Sequence, residues 1–284
     1  MLQAKIQMVL DRLSNDEFNL LKVEDRWINE AGEAFKDALR RQLTDADKNE
    51  FRLRMSNVGR PLCQLQMEAG GATPSRKPYN FKMMMMIGDA VEAITDVILK
   101  IAGANITGGK DQVELEVAGT TVKGTDDIEI DNQVYDIKSC SPWAFTNKWS
   151  QGYEHMKNHD DFGYVGQLIG YAHAKNKEPG GWIVVCKSTG KVAVVECAPS
   201  IQEQSSVLKN IKHNVTAVTS GAEFQRCFSL EDDKWRGKPT GLKRLCKTCE
   251  FCSFLATCWP DAEFKAHPKS DAKNPPRYWY VEDA

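Results

Sequence analysis

The chain has 284 residues, 42% of them hydrophobic and 27% charged, with a formal net charge of -2. That composition excludes a disordered segment and a uniformly basic nucleic-acid binder, so any contact with DNA must come from local patches and metal ions. No apolar run approaches the roughly 18–20 residues that a bilayer crossing needs. The opening stretch MLQAKIQMVLDRL lacks the basic, apolar, small order of a secretory signal, so a cytoplasmic protein is expected.

Residues 1 to about 55 carry Leu10, Leu13, Phe18, Leu21, Trp27, Phe35, Leu39 and Leu43 at helical spacing in a charge-rich background, which predicts a helical flank packed on a core. Gly59-Arg60-Pro61-Leu62-Cys63 breaks that pattern, and Gly70-Gly71 through Pro78 reads as a loop. Met83 to Ala102 predicts a buried helix, with Met84, Ile87, Val91, Ile94, Ile98 and Ile101 recurring at threes and fours. The Met83–Met86 run reads as core filling, because methionine adapts to irregular packing.

Gln112–Val117 alternates as a strand. Val122–Ile130 and Gln133–Ser139 then read as two strands joined at the turn-forming pair Asp131-Asn132. Trp143, Phe145, Trp149 and Tyr153 alternate with Lys148 and Lys157, a pattern that suits either stacking on unpaired bases or ordinary loop packing. Phe162–Lys175 predicts a helix, followed by strands at Trp182–Lys187 and Val192–Cys197. Three parts follow: a helical flank over 1–80, an α/β core over 81–200, and a C-terminal helical, cysteine-rich region over 201–284.

The hairpin carries the chemistry. Alternate strand residues share a face, so Asp136 and Lys138 point one way and Ile137 the other. Asp127 sits on the partner strand near Asp136. Its neighbour Asp126 leaves the register ambiguous, because adjacent strand residues face opposite ways. Two carboxylates and a lysine on one face make a site for a hard cation such as Mg²⁺ or Mn²⁺, with the Ile137 carbonyl as a further oxygen ligand, suited to metal-assisted phosphodiester hydrolysis. The competing reading of Asp136 and Lys138 is a surface ion pair. Gln167 and Tyr171, four apart on the later helix, share a face and either reach this site or simply pack.

Of nine cysteines, Cys140, Cys186, Cys197 and Cys227 fall singly in or near core segments and read as buried thiols. Cys246, Cys249, Cys252 and Cys258 form a compact run behind a basic stretch. Its spacing is closer to iron–sulfur ligation, with Cys258 or Cys63 as the fourth ligand, than to paired zinc ligands, although Zn²⁺ remains an alternative.

The ordered set Gly124-x-x-Asp127, Asp136-x-Lys138 and Gln167-x-x-x-Tyr171, with Gly88 and Glu92 on the helix upstream, resembles the PD-(D/E)XK nuclease superfamily over roughly residues 83–198. Within it the chain looks like the RecB-like exonuclease branch. The terminal cysteines extend the likeness to the CRISPR-associated iron–sulfur exonucleases.

The resemblance implies a restriction-endonuclease-like core, a mixed central sheet flanked by helices, with a helical N-terminal flank and a C-terminal Fe–S subdomain. It implies Glu92, Asp127 and Asp136 as metal ligands, where many relatives have His at the first position. Lys138, Gln167 and Tyr171 complete the implied catalytic set, and the Gly124-x-x-Asp spacing favours Asp127 over Asp126. Without the family frame Glu92 reads as a surface carboxylate.

It also implies a [4Fe-4S] cluster on Cys63, Cys249, Cys252 and Cys258, leaving Cys246 spare. The activity implied is exonucleolytic hydrolysis of single-stranded DNA or DNA ends, 5′ to 3′. A flap endonuclease, or an end-binding factor partnering recombination, repair or CRISPR proteins, are the alternatives. The chain contains no G-x-x-x-x-G-K-[ST] loop, so ATP use would have to come from a partner.

Overall fold

The computed structural model describes residues 1–44 and 51–281. Helices α1 (Leu2–Ser14), α2 (Asp25–Thr44), α3 (Leu62–Ala69) and α4 (Phe81–Ile101) come first. Strands β1 (Ile106–Gly108), β2 (Gln112–Val117), β3 (Thr120–Thr125), β4 (Ile128–Ile130) and β5 (Gln133–Cys140) follow. Short helices α5 (Pro142–Asn147) and α6 (Tyr153–Asn158) lead to α7 (Tyr164–Ala174), β6 (Glu178–Cys186), β7 (Val192–Glu196) and α8 (Ile201–Thr219). The remainder holds β8 (Glu231–Trp235), β9 (Lys238–Arg244), α9 (Lys247–Glu250), α10 (Leu255–Cys258), β10 (Ala262–Ala266) and β11 (Arg277–Val281). Residues 45–50, part of the predicted helical stretch, lie outside the described residues.

The chain forms two compact units, and their limits differ from the three-part division expected from sequence. One unit comprises Met1–Gly59 and Pro78–Val215; the other comprises Arg60–Lys77 and Thr216–Ala284. The N-terminal helices α1 and α2 thus belong with the α/β core, whereas α3 belongs with the C-terminal segment.

The first unit is mixed α/β, built on a five-stranded sheet in the order β1-β4-β5-β6-β7. Among the described strands of this sheet, only β5 and β6 pair in parallel. The crossover that a parallel pair requires is supplied by α5, α6 and α7. β4 and β5 form the expected hairpin, and Asp131 and Asn132 both take positive φ, 51° and 63°. This is the conformation of a two-residue turn whose twist matches the strands, and Asn and Asp tolerate it well.

Period-two alternation divides β5 between two cores. Val134 and Cys140 join the cluster that includes Leu168, Tyr171 and Trp182, whereas Tyr135 and Ile137 join Ile6, Leu99 and Ile183 on the opposite face. Asp136 and Lys138 fall on the first of these faces.

Two expectations are corrected. Val122–Ile130 is not one strand: β3 pairs with β2 in a separate two-stranded ribbon, and β4 joins the central sheet, with Asp126 and Asp127 between them. The break lets these two carboxylates go to different environments. The Met83–Met86 run is not core filling, since Met83, Met84 and Met85 are exposed and the residues α4 buries are Ala93, Thr95, Asp96 and Leu99.

The second unit has a four-stranded antiparallel sheet in the order β10-β11-β9-β8. Its apolar core is small: Leu245, Cys249 and Leu255 are buried, with Phe228, Trp259 and Trp279 packed around them.

Candidate metal centre and cysteine cluster

Asp127 occupies the gap between β3 and β4, and its Oδ2 accepts a hydrogen bond from the Ile137 backbone N–H at 2.7 Å. This bond ties it beside the middle of β5. The Asp136 carboxylate lies close enough to Asp127 to raise its carboxyl. Lys138 Nζ donates to Asp136 Oδ1 at 2.6 Å. The pair is not a surface ion pair, since the side chains are 21% and 5% exposed. Asp136 Oδ2 is buried with no donor directed at it.

Burial, and then the nearby Asp136 carboxylate, push Asp127 up to about 7. Burial and the Asp127 and Asp89 carboxylates push Glu92 up to about 7 as well, against the pull of Lys110 and Lys138. Glu92 is therefore within electrostatic reach of the aspartates. Its carboxylate does not close with them into a group whose oxygens all lie within 4.8 Å, among the described residues.

Burial acts to lower the Lys138 pKa, but the Asp136 and Asp127 carboxylates outweigh it and raise it on balance. Lys138 therefore stays cationic at neutral pH. The arrangement has more buried negative charge than one ammonium neutralises, and it leaves an acceptor unused. Both are what a divalent cation on oxygen ligands would correct.

Tyr171 plays a structural part. It is buried in the core, and its hydroxyl donates to the Thr125 carbonyl at 2.8 Å. A Cβ on Gly124 would lie 2.4 Å from that hydroxyl and 2.7 Å from the Met55 Cβ. The glycine of Gly124-x-x-Asp127 is thus where the tyrosine passes the chain, three residues before Asp127. Gln167, one turn earlier on α7, is half-buried on the same helix face.

Asp126 points away from Asp127. With Asp111 and Glu129 it brings carboxylate oxygens within 4.8 Å of one another, close enough to hold a metal ion. Lysine ammoniums already fill that place: Lys175 contacts Asp126 at 2.8 Å, Asp111 at 2.9 Å and also Glu129, which Lys177 contacts in turn. Sequence reading missed this group, because its lysines come from the end of α7, far along the chain from the acids.

The aromatic stretch after β5 is mostly core. Trp149 and Tyr153 are buried and Phe145 packs beside them, whereas Trp143 is 59% exposed. Lys157 is paired with Glu154 and Glu203.

Six of the nine cysteines fall in the second unit. Cys63, on α3, donates its backbone N–H to Cys227 Sγ at 3.0 Å. Cys227 is exposed, a correction to its reading as a buried core thiol, whereas Cys140, Cys186 and Cys197 are buried. The Cys63–Cys227 hydrogen bond raises the Cys63 thiol and brings that of Cys227 down to about 6. Burial raises Cys249, with Cys246, Cys258 and Cys252 near enough to add to the effect. Cys252 in turn feels Cys258 and Cys227. All six thiols of this unit thus lie in one electrostatic neighbourhood, with Cys227 in contact with Cys63 and Cys246 in contact with Cys249.

No helix among the described residues is long and apolar enough to cross a membrane. No protein-family model matches the chain, and no curated protein matches it. Among solved structures it is similar to the crystal structure of SSO0001, at 14% identity and a TM-score of 0.43, over 80% of this chain and 95% of that one.

Proposed function

We propose that the protein is a Mg²⁺- or Mn²⁺-dependent deoxyribonuclease of the PD-(D/E)XK type. It hydrolyses single-stranded DNA or DNA ends as an exonuclease, with the 5′-to-3′ polarity implied by the RecB-like resemblance. The observation that carries this reading is the buried cluster of Asp127, Asp136 and Lys138, with the unpartnered Asp136 Oδ2 and the raised Glu92 and Asp127.

Asp127, Asp136, the Ile137 carbonyl and Glu92 would hold the ion, which supplies Lewis acidity toward the phosphodiester and the attacking water. Asp136 fixes the Lys138 ammonium through its Oδ1. Lys138, cationic and largely buried, orients water and offsets the negative charge that grows on the phosphate, a role typically worth about a hundred- to thousandfold in rate. Tyr171 holds the Thr125 carbonyl and so positions the turn that carries Asp127.

In the second unit, Cys63, Cys249, Cys252 and Cys258 would hold a [4Fe-4S] cluster that ties α3 to the C-terminal segment. Among the described residues no three cysteine sulfurs lie within 4.8 Å of one another.

The test uses end-labelled and internally labelled oligonucleotides, single-stranded, duplex and flapped, with Mg²⁺ or Mn²⁺. The parent protein should degrade DNA from ends. Lys138→Ala should lose about a hundredfold or more in rate while still binding DNA. Undiminished degradation by Lys138→Ala, or none by the parent with either metal, would overturn the proposal.

A further inference from the structure

Four aromatic rings run from the core to the surface beside the candidate metal centre. Trp182 is fully buried in β6 and Trp149 is 3% exposed. Their ring centroids are 5.9 Å apart, those of Trp149 and Tyr164 are 5.5 Å apart, and those of Tyr164 and Phe162 are 5.6 Å apart. Phe162 ends the series and is 47% exposed. Each spacing lies within the range of favourable ring contacts, so the outermost ring is supported from behind and open in front.

Two lysines flank this series. Lys148 Nζ lies 5.3 Å from the Tyr164 centroid, 5.7 Å from Phe162 and 5.8 Å from Trp149. Lys138 Nζ lies 5.4 Å from the same Tyr164 ring. Tyr164 is thus shared between the lysine of the metal centre and a second cation next to Phe162.

The loop presenting Phe162 is held firmly. Asp160 accepts hydrogen bonds from the backbone N–H groups of Tyr164 and Val165 at 3.0 and 2.8 Å, turning its charge onto the start of α7. Gly163 takes a left-handed φ of 76°. Gly59 packs directly on the following turn, where a Cβ would lie 2.4 Å from the Gly163 carbonyl.

We propose that Phe162 is a stacking platform for an unpaired base of a DNA strand, with Lys148 holding the adjoining phosphate as the strand passes to Lys138. The proposal rests on the nuclease reading for the identity of the strand. A half-exposed ring needs an exposed base face, and bases inside a duplex have both faces covered, so the platform selects single strands and frayed ends. Lysine beside aromatic rings supplies the matching charge for the backbone, and stacking of this kind tolerates any base.

The experiment measures binding separately from cleavage, with the full-length protein in Ca²⁺ or chelator. A single-stranded oligonucleotide carrying 2-aminopurine at successive positions from one end is titrated, next to a blunt duplex. The parent should quench the fluorophore at a position near the end and bind the single strand more tightly than the duplex. Phe162→Ala and Phe162→Leu should each lose the quench and about tenfold in single-strand affinity, leaving duplex affinity unchanged. Phe162→Trp should restore both, and Lys148→Gln should lower the slope of log affinity against log salt by about 0.7 while keeping the quench.

Parent-like quenching and affinity in Phe162→Leu would overturn the platform, as would a parent with no preference for single strands. A Lys138→Ala protein that stacks the base normally but degrades DNA as the parent does would overturn the nuclease reading and leave the platform standing.

Discussion

Asp127 shows how a residue proposed for the site can be costly to the fold. Its carboxyl is held near 7 by burial and by Asp136, and Glu92 is held near 7 by burial and by Asp127. A carboxyl raised in the folded state contributes stability that is fully present below its unfolded pKa and lost as pH rises through the folded one. The metal-free protein should therefore lose stability from these two groups between about pH 4 and pH 7. A divalent cation should return it, so the rise in unfolding midpoint on adding Mn²⁺ should be larger at pH 8 than at pH 5.5. Asp127→Asn should raise the midpoint in chelator at pH 8 by roughly 2 °C or more, abolish the Mn²⁺ response and abolish cleavage. A lowered midpoint in chelator would show that Asp127 is neutralised by other means.

Gly124 is informative at the same scale. A methyl group there meets both the Tyr171 hydroxyl and Met55. Gly124→Ala should cost roughly 1–3 kcal/mol, as overpacking in a filled core does, with the loss of cleavage exceeding what the unfolded fraction explains. Urea unfolding beside the rate assay separates the two. The G-x-x-D spacing was legible as a motif, but its physical cause lies in a tyrosine on α7 that no local pattern connects to it.

Among elements, the break between β3 and β4 has the largest consequence for function. The alternation Val122–Ile130 reads as one strand because local pattern does not reveal a change of pairing partner. Asp126 and Asp127 as neighbours in a regular strand would face opposite sides, and the break uses this: Asp127 goes to β5 and Asp126 to Lys175. The helix α4 was legible as a helix, but hydrophobic periodicity finds an apolar stripe without telling whether this chain covers it. Met83, Ile87 and Ile94 stay exposed.

The Asp111, Asp126, Glu129, Lys175 and Lys177 group was not legible at all, since its members lie in separate segments. It should behave as a latch between β2, β4 and the end of α7. Removing one member of a buried ion pair typically costs about 3–5 kcal/mol, because the remaining charge is stranded. The Asp126 and Glu129 side chains are 0% and 2% exposed, so Lys175→Ala should fall in that range by urea unfolding, with Lys177 still serving Glu129. The double variant Asp126→Asn/Lys175→Met should cost less than the sum of its single changes. Additive losses would show that the two side chains do not act as a pair.

For the whole molecule, the division into two units sets what the cysteines can do. The first unit has extensive cores on both faces of its sheet, whereas the second buries fewer apolar side chains, Leu65, Leu245, Cys249, Phe254, Leu255 and Tyr280 among them. A modest core gains from a cross-link, and the second unit is assembled from two separated segments, Arg60–Lys77 and Thr216–Ala284. A cluster held by Cys63 on one segment and Cys249, Cys252 and Cys258 on the other would supply the missing closure. The cysteine run was legible from spacing, but the approach of Cys227 to Cys63 was not, because only the fold brings α3 beside the segment before β8.

Calorimetry of the anaerobically purified protein should show two transitions, and removing iron with a chelator should lower one of them while leaving the other in place. Cys63→Ser should lower the same transition and the iron content together. Cys246→Ser should keep the iron and the visible absorbance, since that thiol stands outside the expected ligand set. Full iron in Cys63→Ser would shift the fourth ligand to Cys227, its hydrogen-bonded neighbour. An unchanged pair of transitions after iron removal would mean that the second unit holds its two segments together without a cluster.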